Sequence, residues 1–381
     1  MVTLPSMPLQ LRVLKSIKDC EASRAEYDRL LRAIPTPTPF HSFAWVAANL
    51  DSFPNLGGYL LEFRRDDSTL AAFVPLVLRS GRRYLRTIAW LEFAGQPYAD
   101  YGGFLVRPGS EHAVAEALLE FLRRSAAPWE AAHLDRMRSD DPFPHSLLSV
   151  ANSGHASMST HAGAQVWNLA RAAYEANRTA SRSLDRAAKR LSEQGPLRFE
   201  VFTAPDQIEL RLNPFFALHQ QRFVAKKRAS PLASAEHQAF YRNIVRHMAP
   251  AGDVWLSVLS CGDLPVAMRI SLRCLDRLHL YSTCFAQDFA RYSPSMLQLR
   301  MLLDYSFANG IQVVDLGIGE SPHKEQPGAN QQPPLLLMEL HNRQATRVES
   351  KLFHVAQRAR SRSHALQRAG KLLRRFFPYD M

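Results

Sequence analysis

Residues 278–324 gather polar chemistry at the two ends of one strand, loop, helix and strand unit. At the first end, Ser293-Pro294 is a helix start, with serine for the N-cap side chain and proline for a first helical residue that needs no donor. A helix begun there leaves the N–H groups of Ser295 and Met296 pointing into the preceding loop, where they and the helix dipole attract phosphate. The second end is the strand exit and polar turn that carries Asp315, Glu320, His323 and Lys324. The carboxylates and the imidazole are candidate bases, and the lysine can hold an anion or stabilise developing negative charge. Each has a plainer role as well: Asp315 shares a strand face with Ile311 and Val313 and could cap a turn. Two further pairs lie outside this unit. Asp100-Tyr101 follows Gly95-Gln96-Pro97, which also reads as a turn, and His219 and Arg222 sit one helical turn apart.

The elements that must position these groups follow from hydrophobic period. Leu278, Leu280 and Ser282 alternate with His279, Tyr281 and Thr283, the pattern of a strand. Residues 286–292 read as a loop. Met296, Leu299, Leu303 and Phe307 recur at helical spacing, Asn309-Gly310 is a stop, and residues 311–316 resume as an apolar strand. Upstream, residues 253–260 and 264–273 are two more strands joined by Cys261-Gly262-Asp263, so the second half is a three-strand meander, a helix and a strand. The first half repeats that order with strands at 57–64, 69–78 and 84–91, a helix at 111–124 and a strand at 131–137. Two related domains account for this, with a boundary in the polar stretch 139–165.

Composition sets limits. The chain has 381 residues, 46% of them hydrophobic, enough for two cores. The formal charge of +12 is concentrated in the tail, where ten Lys or Arg face two acids between His341 and Met381. Apolar residues recur there at three- and four-residue intervals, as in a basic amphipathic helix. Such a helix could touch an anionic membrane, dock on an acidic partner such as a polysaccharide synthase, or pack on its own domain. The charge has no zinc, helix-turn-helix or RNA-binding signature beside it, so nucleic acid is not the expected partner. Arg178, Arg182, Arg186 and Arg190 form a ladder on one helix face, either solvated or holding an anion. Cys20, Cys261, Cys274 and Cys284 have no metal-ligand spacing, and a reducing cytoplasm suits them. No run approaches the length of a membrane span, so the expectation is a cytoplasmic protein, at most peripheral to the inner membrane.

The order of elements, with Gly262, Pro265-Val266-Ala267, Tyr281, Ser293-Pro294, Asn309-Gly310, Asp315-Leu316-Gly317, Gly319, Pro322 and Lys324, resembles the GNAT acyltransferases. In particular it resembles the CelD-like family associated with cellulose and exopolysaccharide synthesis, which is similar to the FemAB-type transferases. Phe40-His41-Ser42, Trp45, Pro75-Leu76 and Asp100-Tyr101 extend the likeness into the first half. His323 stands where that family has a tyrosine. The resemblance implies an α+β fold of two tandem GNAT-like domains, each a mixed, mostly antiparallel sheet flanked by helices. The expected division is a degenerate domain at 1–160, an acyltransferase domain at 161–340 and the basic tail at 341–381. It further implies acetyl-CoA or another acyl-CoA as co-substrate, held by Tyr281, Tyr292, Ser293, Ser295 and Met296, and no metal. Asp100, Tyr101, His219 and Arg222 would meet the acceptor, an amine or hydroxyl of a sugar or cell-envelope precursor that attacks the thioester directly. The alternatives are a FemAB-like transferase using aminoacyl-tRNA and a non-catalytic partner of a polysaccharide synthase.

Overall fold

A computed structural model describes residues 9–83, 86–124, 129–151, 156–160, 166–177, 182–225, 227–319, 324, 327–342, 346–352 and 355. In the first half, strands β1 (Gln10–Leu14), β2 (Gly57–Arg64), β3 (Leu70–Arg83), β4 (Arg86–Phe93), β5 (Leu105–Val106), β6 (Ala131–Arg138) and β7 (Ala156–Thr160) alternate with helices. The helices are α1 (Ile17–Cys20), α2 (Arg24–Ala33), α3 (Phe43–Ser52), α4 (Glu111–Arg124) and α5 (Pro142–Val150). The second half contains strands β8 (Val166–Ala170), β9 (Leu197–Phe202), β10 (Val254–Cys261), β11 (Leu264–Cys274), β12 (Arg277–Phe285), β13 (Val313–Ile318) and β14 (Ala329–Gln331). Its helices are α6 (Arg171–Asn177), α7 (Arg182–Ser192), α8 (Pro205–Ala225), α9 (Ala235–Met248) and α10 (Pro294–Ala308), and β15 (Leu335–His341) follows.

The two sheets repeat one plan, and one strand of the second half joins the first. The first runs β1-β2-β3-β4-β6-β15-β7, and the second runs β14-β8-β13-β12-β11-β10-β9. In each, a meander ends in a strand that pairs in parallel with the strand after the next helix: β4 with β6, and β12 with β13. The next neighbour of that parallel strand is remote in sequence: β15, from the second half, lies beside β6, and β8, the first strand of the second half, lies beside β13. Strand β15, which the sequence assigns to the second domain, therefore completes the first sheet.

The meanders form where the chain reads most simply, because their apolar residues alternate and their turns are short. Helix α10 covers one face of the second sheet, with Leu299, Leu302, Leu303 and Phe307 packed on Leu278, Leu280, Val314 and Leu316. Helices α8 and α9 lie with the other core, where Phe215, Phe240 and Ile244 meet Phe40, Trp45 and Tyr101 of the first half. One continuous core thus joins the halves on the α8 and α9 side.

Two irregularities open the second sheet. Pairing of β12 with β13 covers only three positions, ending at His279 opposite Asp315, so β12 beyond that point has no ladder partner on the β13 side. In the same place β12 carries a bulge: Ile270 pairs with Ser282 and Ser271 with Leu280, leaving Tyr281 as an extra residue. The bulge reverses the alternation read from the sequence. Leu278 and Leu280 face α10, whereas Cys284 faces the α8 and α9 core.

The start of α10 also differs from the sequence expectation. The stretch expected as a loop is a 3-10 helix, Gln287–Tyr292, and it leads into Ser293 at φ 51°, ψ 48°. In this left-handed conformation the Ser293 side chain makes no capping bond, and its carbonyl accepts from the N–H groups of Met296 and Leu297 at 3.0 and 3.1 Å. Met296 is therefore not a free donor. Pro294 has no N–H, which leaves Ser295 as the residue whose N–H has no acceptor within the helix. An ordinary N-cap serine loses about 0.5–2 kcal/mol on truncation. Here Ser293→Ala should shift stability by less than about 0.5 kcal/mol, since no cap bond is lost; a larger drop in the urea midpoint would show that the hydroxyl caps the helix after all.

Candidate active site

The second-sheet wedge is closed at its narrow end by a network that both halves build. His279, on the last paired position of β12, is 2% exposed in its side chain and stands between two carboxylates. Its Nε2 lies 2.7 Å from Asp100 Oδ2, and its Nδ1 lies 3.4 Å from Asp315 Oδ2. Asp315 also accepts from the Tyr101 hydroxyl at 2.6 Å and from the Gly317 N–H at 2.8 Å. That last bond needs the turn at Gly317, whose φ of +79° suits glycine, and a Cβ there would stand 3.6 Å from Asp100 Oδ2. Lys324 is buried, donates its ammonium to the Ile318 carbonyl, and comes near the same turn. Asp100 and Tyr101 thus meet Asp315 and Lys324, four of the residues singled out in the sequence, around a histidine that was not.

The charges of this cluster are interlocked. Burial alone would lower the pKa of His279, but the charge of Asp315 and the bond to Asp100 overcome it and push the group up to about 9. It is an imidazolium at neutral pH and so cannot serve as a base there. Burial likewise acts to raise Asp315, yet His279, Tyr101 and the Gly317 N–H hold it below the usual carboxylate range. Burial pushes Tyr101 well above its ordinary value, helped by Asp315, so it stays a hydroxyl donor. Lys324 is lowered by burial against the pull of Asp100 and Asp315. Asp100 is the most open member, with 27% of its side chain exposed against 13% for Asp315. The arrangement therefore offers one accessible carboxylate and one buried ammonium at the narrow end of the wedge, oriented by a buried ion triplet.

Other expected residues fall elsewhere. Tyr281 turns toward the first half, where its hydroxyl donates to the Tyr98 carbonyl at 3.1 Å and its ring meets Trp45 and Tyr241. Tyr292 is buried among Ala187, Leu191 and Leu297 beneath α7. His219 is buried, bonded to Ser230 Oγ at 2.8 Å, and held down to about 4 by burial and by Arg222. Arg222 lies across the bulged strand, donating to the Thr283 carbonyl at 2.8 Å over the Phe285 ring. Near it is Arg269, only 4% exposed and pushed down to about 10 by burial. Neither arginine has a carboxylate partner among the described residues. Arg182, Arg186 and Arg190 are exposed on α7, which packs by Ala187 and Leu191 and is tied to α10 through Asp185 and Arg300 at 2.7 Å. Glu320, His323 and Arg178 lie outside the described residues, as does most of the tail. Residues 346–352 are helical and sit on the first sheet through Arg86 to Glu349 and Ser350 to Glu339. No helix among the described residues is long and apolar enough to cross a membrane, and no cluster of His, Cys, Asp or Glu among them could hold a metal ion.

Sequence reasoning missed His279 and Arg269, both polar residues on otherwise apolar strands. A histidine between Leu278 and Leu280 was the available signal.

The repeated sheet plan, the splayed parallel pair and the bulge define a GNAT fold, built here as two tandem α+β units. In agreement, residues 178–325 match the family described as Acetyltransferase (GNAT) domain. Among solved structures, FemX is similar with a TM-score of 0.61 and 10% identity, over 86% of this chain and 96% of that one. L-PGS from Bacillus licheniformis is similar at 0.52 and 10%, over 84% and 92%. The C-terminal domain of a putative lysylphosphatidylglycerol synthetase from Agrobacterium fabrum is similar at 0.51 and 12%, over 90% and 96%. These likenesses are of fold. No curated protein matches the chain.

Proposed function

We propose that the protein is an acyltransferase that passes an acyl group, acetyl from acetyl-CoA in the first instance, to an amine or hydroxyl of a sugar or cell-envelope precursor. The observation that carries this reading is the Asp100, His279, Asp315 and Lys324 cluster at the point where β12 and β13 part. A thioester entering the wedge would bring its carbonyl to the unpaired backbone of β12 and to the Lys324 ammonium, both suited to a developing oxyanion. Asp100 would take the proton from the attacking group. The carrier's phosphates would lie toward the Ser295 N–H and the exposed arginines of α7, while Arg222 and Arg269 await an anionic part of a substrate. Direct attack is supported by the thiols. All four cysteines are buried, and Cys284, on the wedge strand, is pushed up to about 12 by burial, which removes thiolate at neutral pH.

The same basic face could receive the phosphates of an aminoacyl-tRNA. The two carriers separate in one experiment. Acetyl-CoA at a hundred times its dissociation constant should add about 2.7 kcal/mol of stability, read as a rise in the melting temperature. No rise with any acyl-CoA, together with salt-sensitive tRNA binding, would move the donor to tRNA. Silence with both would remove the catalytic reading. The CelD-like assignment and a role in exopolysaccharide synthesis belong to this proposal, as does docking on a membrane or synthase through the tail.

A further inference from the structure

On the other side of His279 and Asp315 from the wedge lies a cavity of about 300 Å³. Its floor is a row of polar residues abreast on four neighbouring strands: Asn330 on β14, Asn168 on β8, Asp315 on β13 and His279 on β12. Strands β8 and β13 supply the centre of that row. Arg277 stands two pairs further along on β12, opposite Val313. The first half provides the facing wall, with residues 36–39 and the pair Arg138 and Asp140.

Two buried hydrogen-bonding atoms on this lining, Thr38 Oγ1 and Asn168 Oδ1, have no hydrogen-bond partner, and a third, His279 Nδ1, has only its 3.4 Å ion pair with Asp315. Thr38 is 6% exposed, Asn168 8% and His279 2%. A hydroxyl, an amide oxygen and an imidazolium N–H supply both donors and acceptors, the groups that recognise a polyol. The charges are unequal. Arg138 is held by Asp140 through two bonds of 2.9 and 2.6 Å, and the two carboxylates Asp100 and Asp315 are matched by His279 and Lys324. Arg277 is joined to no carboxylate among the described residues, so one positive charge is left over. Cavities that hold small molecules start at about 300 Å³, the size for a single sugar ring rather than a nucleotide.

We infer that this cavity binds a monosaccharide-sized polyol bearing a carboxylate or phosphate, with the acidic group on Arg277 and ring hydroxyls on Thr38, Asn168 and His279. The inference rests on the acyltransfer reading only in naming that ring as part of the acceptor; its binding is measurable without a donor. His279 and Asp315 then belong at once to the acceptor's floor and to the wedge where the donor arrives, which brings the two substrates to one boundary.

The test is saturation-transfer NMR on the full chain with glucuronate, glucose 6-phosphate and glucose, each at millimolar concentration. Signals should be strong for one or both acidic sugars and at least tenfold weaker for glucose; which of the two binds tells carboxylate from phosphate. Arg277→Gln should bring the acidic sugar down to the level of glucose, and Asn168→Leu should weaken all three. Arg277 is partly exposed, so its variant keeps the fold and carries the test if the Asn168 variant does not. Acetyl-CoA should stabilise Arg277→Gln as it does the wild type. If the wild type binds no sugar, or if Arg277→Gln keeps its preference for the acidic one, the inference is overturned. A protein that binds these sugars but no acyl donor would instead leave the cavity standing and sink the acyltransferase reading.

Discussion

Replacing His279 with alanine is expected to destabilise the protein by about 3–5 kcal/mol, the usual cost of removing one partner from a buried ion group. The variant leaves Asp100 and Asp315 facing one another without the cation that lies 2.7 and 3.4 Å from them. The pH dependence gives a second readout. His279 titrates near 9 in the folded protein and near 6.5 ordinarily, so its stabilisation is complete below about pH 6.5 and is lost as pH rises through about 9. That shift corresponds to about 3 kcal/mol. Urea denaturation at pH 6, 7.5 and 9 should therefore show the wild type weakening across the interval, while His279→Ala and His279→Gln stay nearly level. Parallel slopes for wild type and variants would refute a charged histidine at this position. His279→Gln separates charge from packing, because glutamine fills much of the space and keeps a hydrogen-bonding end.

Asp100→Asn should leave the fold nearly intact and slow acyl transfer by about 10²–10⁴-fold, the range for loss of a general base. The amide oxygen can still accept from His279, and the carboxylate it replaces is the most open in the cluster. Asp315→Asn is the informative contrast. Asp315 is bound by Tyr101, Gly317 and His279, so its loss should lower stability as well as rate. The comparison is made on initial rates of thiol release from acyl-CoA in the presence of acceptor, with melting temperatures measured on the same samples. An Asp100→Asn enzyme within a few-fold of wild type would pass the proton to another group and leave Asp100 as a positioning residue.

These residues also show what a linear reading can and cannot see. The meander, helix and strand order was legible because each element declares itself over six to fifteen residues. Asp100, Tyr101, Asp315 and Lys324 were legible as chemistry at the ends of strands and in turns. Their meeting was not, since Tyr101 and Asp315 are 214 positions apart and nothing local records the pairing. His279 was hidden for another reason: a polar residue on an alternating strand looks like a solvent-facing one until a second domain covers that face. The bulge at Tyr281 broke the period that placed its side chain, and the Ser-Pro rule mispredicted a cap because the backbone at Ser293 is left-handed. Strand β15 is a short apolar run whose partners lie in the first half, so its crossing left no mark in the pattern.

The crossing strand β15 imposes an order on biosynthesis. As the chain leaves the ribosome, β1 to β7 emerge first, yet β7 touches its sheet only through β15, which is translated after the whole second half. Until then the edge of β6 stays open, with Ala131, Ala132, Leu134 and Met137 on a strand able to recruit a stranger. The usual vectorial rule, one domain finished before the next begins, cannot hold here. The first sheet must close last, and a gene cut near residue 160 would encode one fragment missing a rib from its middle and another carrying that rib beside a complete second sheet.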